Sequence, residues 1–263
     1  MSVQKATIDS LRSHISEPRF GRYLAEAGGD PRLALELYQW NIRASAAVVS
    51  STGMVEVQLR NSLDQALRSW NSAQTDPATH ARYGTDWLQR PASPLRDVIN
   101  PKGEKEMWVR AHRSLLGIDG KPSKLNPSHD DLIAGLTFGT WRFLLPSPKA
   151  KSKKNDRIRI WNEALCFPFK DRTASSQQLV SRNVVYGWVN WLWYYRNRAS
   201  HLEPFLAPAE LKRIHRTSAR LLNSLNPDAA SWFAGQQFLP EVANQHPLNS
   251  VCLLYTSDAA DDS

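Results

Sequence analysis

Cysteine is scarce in this chain. Two occur in 263 residues, Cys166 and Cys252. The second falls in the closing stretch CLLYTSDAADDS (252–263), which reads as the translation of a sequencing adapter joined to an open reading frame and is set aside from the fold. One remaining thiol excludes a disulfide framework or a cysteine-based zinc site within one chain and fits a reducing cytoplasm. Three acids go with the tail, Asp258, Asp261 and Asp262, so the formal net charge of +8 becomes +11.

Several catalytic signatures are also missing. There is no glycine-rich phosphate loop, no HExxH and no Gly-x-Ser-x-Gly, so nucleotide hydrolysis, zinc proteolysis and serine-esterase chemistry lack their parts. The histidines (14, 80, 112, 129, 201, 215 and 246) form no i, i+4 pair with one another, so no metal site is expected. No basic-then-apolar leader opens the sequence, and the longest apolar run, VVYGWVNWLWYY (184–195), is too short to span a bilayer and is interrupted by Asn190. A buried helix is the expectation there, with no membrane partner. Strand-like alternation and internal repeats are not visible either.

What is present is basic charge, tryptophan and helical punctuation. An apolar content of 41% is ample for a packed core, and a pI near 9.6 points to a polyanionic partner, because clustered lysine and arginine release counterions from phosphates. Asp30-Pro31 is a helix start, with Leu33, Leu37, Trp40, Ala44 and Val48 at helical spacing. A second stripe, Val55, Leu59, Leu63, Ala66 and Trp70, follows Ser51-Thr52-Gly53, as two helices or one long kinked one. Residues 72–100 read as loop with a turn of helix in SPLRDVIN. Helix is expected again over 104–116, over HDDLIAGLTFGTWRFLL from a Ser128 cap to Pro146, from Asp156, from about Ser175 to His201, and from Pro208; NPDAASWFAGQQFLPEV is weakly patterned. Trp188, Trp191 and Trp193 are expected in the core, because their helix has to pack.

Two stretches carry the chemistry. SPKAKSKKNDRIRIW (147–161) sets six basic residues against one acid; it is either a solvated surface or an RNA contact, through Lys151, Lys153, Lys154 and Arg157. RNRASHLEP (196–204) ends an aromatic helix on polar groups. Pro204 disfavours helix at Glu203, so the helix ends near His201, where the carbonyl terminus suits a cation. Arg196 lies five residues earlier, about 7.5 Å along the axis, within reach of one phosphate, and Asn197 adds a neutral donor. That trio suits metal-free RNA cleavage: a base activates the ribose 2′-hydroxyl, an arginine neutralises the phosphorane, and an acid protonates the leaving oxygen. One imidazole does not easily fill both proton roles, and a symmetric dimer supplies a second. The alternative is that Arg196 and His201 cap carbonyls and pair with Glu203.

RNRASHLEP resembles the Arg-Asn-x-x-x-His element of the bacterial abortive-infection (Abi-like) proteins, a branch of the HEPN superfamily (higher eukaryotes and prokaryotes nucleotide-binding). GLTFGTWRFLL (135–145) resembles that family's LTFGFW segment, RIWNEALCFPF (159–169) its Trp then Phe-Pro spacing, and EVQLRNSLDQAL (56–67) its E-x-x-LRN helix. The likeness spans about residues 30–205 in the expected order. It implies an all-α, HEPN-like helical bundle with additional N-terminal and C-terminal helices, occupying 1–251 as one domain. It also implies a homodimer and a metal-independent endoribonuclease needing no cofactor, acting on RNA in antiphage defence or growth arrest and held by an antitoxin protein or RNA. Carried over by position, Arg196 and His201 are catalytic, Asn197 is the polar residue after the arginine, and Glu56, Arg60 and Asn61 support the fold. Two departures stand out: Leu202 where many relatives have a second histidine, and Thr140 where they have an aromatic. The first leaves room for a module that binds RNA or protein without cutting.

Overall fold

A computed structural model describes residues 5–103, 105–150, 155–172, 178–236 and 238–249. The adapter-like tail and Lys151, Lys153 and Lys154 lie outside the described residues. The fold is all-α. Among the described residues there are twelve α-helices and no strands, only three isolated bridges. None of these helices is long and apolar enough to cross a membrane.

In chain order the helices are α1 Lys5–Ile15, α2 Glu17–Glu26, α3 Pro31–Ala73, α4 Leu95–Ile99, α5 Glu106–Arg113, α6 His129–Ala134, α7 Phe138–Leu144, α8 Asp156–Ile160, α9 Arg182–Ser200, α10 Pro208–Leu225, α11 Pro227–Gln236 and α12 Phe238–Asn244. A π-helical turn, Trp161–Leu165, continues α8. The residues divide into two compact units. The first holds residues through Met54, Tyr194–Ala219 and those from Trp232 onward; the second holds Val55–Trp193 and Arg220–Ser231.

Many helix starts follow the sequence signals. The Asp30 carboxylate accepts from the N–H groups of Arg32 (2.8 Å) and Leu33 (3.4 Å), which satisfies two donors at the start of α3. The two apolar stripes lie on one helix of 43 residues. The intervening Ser51 and Thr52 are buried, and Thr52 Oγ1 donates to the Val48 carbonyl at 2.7 Å. Its hydroxyl is thus satisfied within the helix rather than competing with it.

Other expectations need correction. The helix expected from Ser128 to Pro146 is two helices. Ser128 does cap the first, through a capping box in which its hydroxyl accepts from the Asp131 N–H and its own N–H donates to the Asp131 carboxylate. Gly135 ends the first, and a Cβ there would lie 1.9 Å from the Ser114 hydroxyl, so close packing beyond α5 requires the glycine; the break itself is the extended Thr137 that opens α7. The helix expected from Ser175 starts at Arg182; residues 173–177 lie outside the description and 178–181 are not helical. The weakly patterned stretch after Asn226 is helical in α11 and α12. Finally, Trp188, Trp191 and Trp193 are only half-buried, while Trp40, Trp87 and Trp141 are fully buried.

In the first unit, Ile8, Phe20, Tyr23, Ala27, Ala34, Leu35 and Leu37 form one apolar cluster, which Leu206 and Leu248 join from its edge. Trp40 donates its indole N–H to the Val242 carbonyl at 2.7 Å and meets His246 edge-on at 4.5 Å. Burial lowers the His246 pKa, so the ring is neutral at pH 7.

In the second unit a polar cluster ties α3 to α6 through the intervening loop. His129 places one ring nitrogen 2.8 Å from Asp64 and the other 2.8 Å from Asp86. Asp64 also accepts from the Trp87 indole (2.8 Å) and the Arg68 guanidinium (2.7 Å). Burial disfavours charge on the imidazole, yet the two carboxylates outweigh it and raise the His129 pKa. Burial likewise pushes the Asp64 carboxyl up, and its hydrogen bonds from His129, Trp87 and Arg68 win and leave it low. The cluster is an imidazolium held between two carboxylates, with both ring nitrogens committed.

Candidate functional site

The segment from Tyr194 to Phe205 belongs entirely to the first unit. It is built around the end of α9. His201 follows the last helical residue, Ser200, and its N–H reaches the carbonyls of Asn197 and Arg198, each at 3.2 Å. Leu202 then takes a left-handed conformation, with φ of 51°. Its N–H bonds to the Ala199 carbonyl (3.0 Å) and that of Glu203 to the Arg198 carbonyl (3.0 Å). This is a Schellman termination with His201 as C-cap and Leu202 in the position usually given to glycine. Pro204 follows it, as the sequence pattern requires.

Groups from elsewhere in the first unit fasten the turn. The fully buried Asn41 of α3 accepts from the Phe205 N–H at 2.7 Å, and its amide donates to the Leu202 carbonyl at 3.4 Å. Arg19 of α2 donates to the His201 carbonyl at 3.3 Å. The Ser200 hydroxyl donates back to the Arg196 carbonyl at 3.0 Å.

Arg198 is the arginine that turns inward. Its guanidinium donates to Glu210 (3.1 Å) and the Pro204 carbonyl (2.6 Å), lies 3.4 Å from Glu203, and packs over Tyr195 and Phe205. The Tyr195 hydroxyl shares Glu210 at 3.0 Å. Burial opposes the Arg198 charge, but Glu210 more than offsets it and raises the pKa. The carboxylate of Glu203 is therefore engaged by Arg198, not by Arg196 or His201.

That leaves a different set facing outward. Arg196 and Asn197 are half-buried, and among the described residues the Arg196 guanidinium makes one polar contact, a 3.5 Å approach to Oδ1 of the adjacent Asn197. His201 is exposed, and its ring has no hydrogen-bond or ion-pair partner among the described residues. Asn197 and His201 are four residues apart, one above the other on the same helical face. The three residues expected to be catalytic thus fall on one capped helix end, where among the described residues the His201 ring has no partner and Arg196 meets only Asn197.

The remaining expected residues fall in the second unit. Glu56 is half-buried on α3. Arg60 reaches the Ala134 carbonyl at the end of α6 (3.4 Å) and Asn61 Oδ1 (3.3 Å), and Asn61 is exposed. Arg60 therefore braces a helix terminus. Arg157, in the first turn of α8, lies with its guanidinium 3.8 Å from the centre of the Phe143 ring. Among the described residues there is no group of His, Cys, Asp and Glu suited to hold a metal ion.

Sequence reasoning did not anticipate Asn41, which has no local signal and acts across 164 positions. It named Arg196 as catalytic and gave Arg198 no role, so the hold of Arg198 on Glu210 and the Pro204 carbonyl was not anticipated either. The clefts of the second unit, lined for example by Ser62, Trp70, Glu163 and Phe167 or by Tyr83, Arg90 and Asn100, include none of Arg196, Asn197 and His201. No protein-family model, no curated protein and no solved structure matches this chain.

Proposed function

We propose that this protein is a metal-independent endoribonuclease of the HEPN type, acting as a homodimer in abortive-infection defence or toxin-controlled growth arrest. The observation that carries the reading is an exposed imidazole, with no partner among the described residues, that follows an arginine bonded only to its neighbour among those residues, on a helix end whose main chain is fixed by its cap and by Asn41. A phosphate-cleaving site needs that combination, because the reacting groups must be free while their backbone stays in register.

In the reaction, Arg196 pairs with a phosphate oxygen and neutralises charge that builds as the phosphorane forms. The His201 imidazole accepts the proton of the ribose 2′-hydroxyl, which attacks the adjacent phosphorus. The bond to the 5′-oxygen breaks as the His201 of a second copy donates a proton to it. The products are a 2′,3′-cyclic phosphate and a 5′-hydroxyl. Asn197, on the same face as His201, donates a hydrogen bond to the strand.

The second reading is an RNA- or protein-binding module without catalysis. Leu202 favours it, because it stands where a second histidine would assist proton transfer. Single-stranded RNA incubated with the purified chain in EDTA separates the two. Cleavage to cyclic-phosphate ends, abolished by His201→Ala, supports the nuclease; RNA that stays intact, or cutting that needs an added metal or survives His201→Ala, removes it. Control by an antitoxin protein or RNA belongs to the same proposal and is tested by relief of growth arrest on co-expression of a neighbouring gene product.

A further inference from the structure

A second basic site lies wholly within the second unit. Tyr186, Asn190 and Trp193 occupy one face of α9 at helical spacing. Arg142, in the last turn of α7, lies against them. Its Nε donates to Asn190 Oδ1 at 2.6 Å, its Nη2 is 3.5 Å from the Tyr186 hydroxyl, and its guanidinium stacks 4.3 Å from the centre of the Trp193 ring. Gly139 makes the arrangement possible, since a Cβ there would come 3.2 Å from the Trp193 indole nitrogen.

Arg157 completes the cluster. It stacks on Phe143, an exposed ring. Burial lowers its pKa; Tyr186 offsets that in part, and the neighbouring Arg142 cation lowers it further. Neither arginine has an ion pair among the described residues. The one acid beside them in sequence, Asp156, is taken by Arg159 at 3.1 Å. Two guanidiniums are thus gathered on aromatic faces with no carboxylate to balance them. Arg157, stacked on its ring, can offer a planar fork of edge N–H groups to an anion, while Arg142, with Nε on Asn190 and Nη2 near Tyr186, has Nη1 to add. Asn190, whose oxygen is occupied by Arg142, still has its amide N–H groups to give.

We propose that Arg142 and Arg157 bind a phosphodiester of single-stranded RNA, with Phe143 and the Arg142–Trp193 stack giving an adjoining base a flat surface. Aromatic rings and stacked guanidiniums accept bases of any sequence, and the paired cations take the backbone charge. The site rests on the reading of this chain as an RNA-directed protein, and deepens it by naming residues other than Arg196, Asn197 and His201 that hold the strand.

The test uses the full chain with His201→Ala in every arm, so that the RNA stays intact, and measures fluorescence anisotropy of a labelled oligouridylate across a salt series. Arg157→Gln is expected to weaken binding about tenfold and to flatten the log–log salt slope by about 0.7, the share of one neutralised phosphate on a single strand. Arg157→Lys keeps the slope and loses less affinity, because charge survives while the fork does not. Arg142→Gln gives a second variant, with helicity checked by circular dichroism, should Arg157→Gln disturb folding. Arg159→Gln, on the same helix, is the charge-matched control.

An unchanged affinity and slope for both Arg157→Gln and Arg142→Gln overturns the site. So does an equal loss from Arg159→Gln, or a failure of the oligouridylate to bind while an acidic peptide does. A chain that leaves RNA uncut yet shows the Arg157 dependence removes the nuclease reading alone; one that cuts RNA without that dependence removes this site alone.

Discussion

The main-chain N–H of Phe205 donates to the buried side-chain oxygen of Asn41 at 2.7 Å, so a residue of α3 holds the exit from α9. Replacing Asn41 with Leu leaves that N–H unpaired in the interior. A loss of about 2 kcal/mol in unfolding free energy is expected, read by urea denaturation. RNA cleavage by the folded fraction should fall as well, since the turn carrying His201 is released. A variant with native stability would show that the bond contributes nothing.

Arg196 and Arg198 are two residues apart and should respond oppositely. Arg196→Ala is expected to lower the cleavage rate at least a hundredfold while the melting temperature stays within a degree or so of native. Arg198→Ala strips the Pro204 carbonyl of its donor and leaves Glu210 without its cation, with the Tyr195 hydroxyl still bonded to it, at a site where the arginine is only 16% exposed, and should cost about 2 to 4 kcal/mol of stability. Melting curves beside cleavage assays of both variants check the contrast, which fails if the two behave alike.

Leu202 occupies a left-handed position without being glycine or asparagine. Leu202→Gly removes the clash between Cβ and the following carbonyl and is expected to stabilise the chain by about 1 kcal/mol. Cleavage should persist, because the His201 main chain keeps its bonds. A destabilised Leu202→Gly would mean that packing of the leucine side chain outweighs the backbone strain.

The pH dependence follows from His129 and Asp64. The folded-state pKa of His129 is raised, so its contribution is complete below about pH 6.5, the ordinary histidine value, and is lost as pH rises through the higher folded value. The Asp64 carboxyl is lowered, so its contribution is present above about pH 3.9 and is lost as pH falls through the lower folded value. His129→Gln should therefore cost most, about 2 kcal/mol, between those two values and progressively less on the alkaline side. Thermal melts of both proteins across that range measure it; a constant gap from acid to alkali contradicts the charged state assigned to His129.

Local signals in the sequence were enough for the helical class and for much of the punctuation. The Asp30 cap, the Ser128 capping box and the Pro208 start each depend on neighbours within a few residues, and each stands. What was not legible depends on distant partners. Nothing in HDDLIAGLTFGTW announces that Thr137 is extended or that Gly135 must clear Ser114, and one expected helix is two. Trp193 reads as core, yet part of its surface is covered by Arg142 rather than by apolar groups. The Arg-Asn-x-x-x-His spacing named Arg196, but only the partners Glu210, Glu203 and the Pro204 carbonyl, none of them legible from the motif, show that Arg198 is the structural arginine. Lys151, Lys153 and Lys154 lie outside the described residues, so the basic run is represented there by Arg157.

The termination of α9 has a consequence for how this stretch can vary. Its main-chain bonds count residues: Glu203 must be five beyond Arg198, and Leu202 three beyond Ala199. One extra residue before His201 would carry the imidazole about 100° around the helix axis and break both counts. Relatives of this chain are therefore expected to tolerate neither insertion nor deletion between Asn197 and His201, and to vary there most readily at the exposed Ser200.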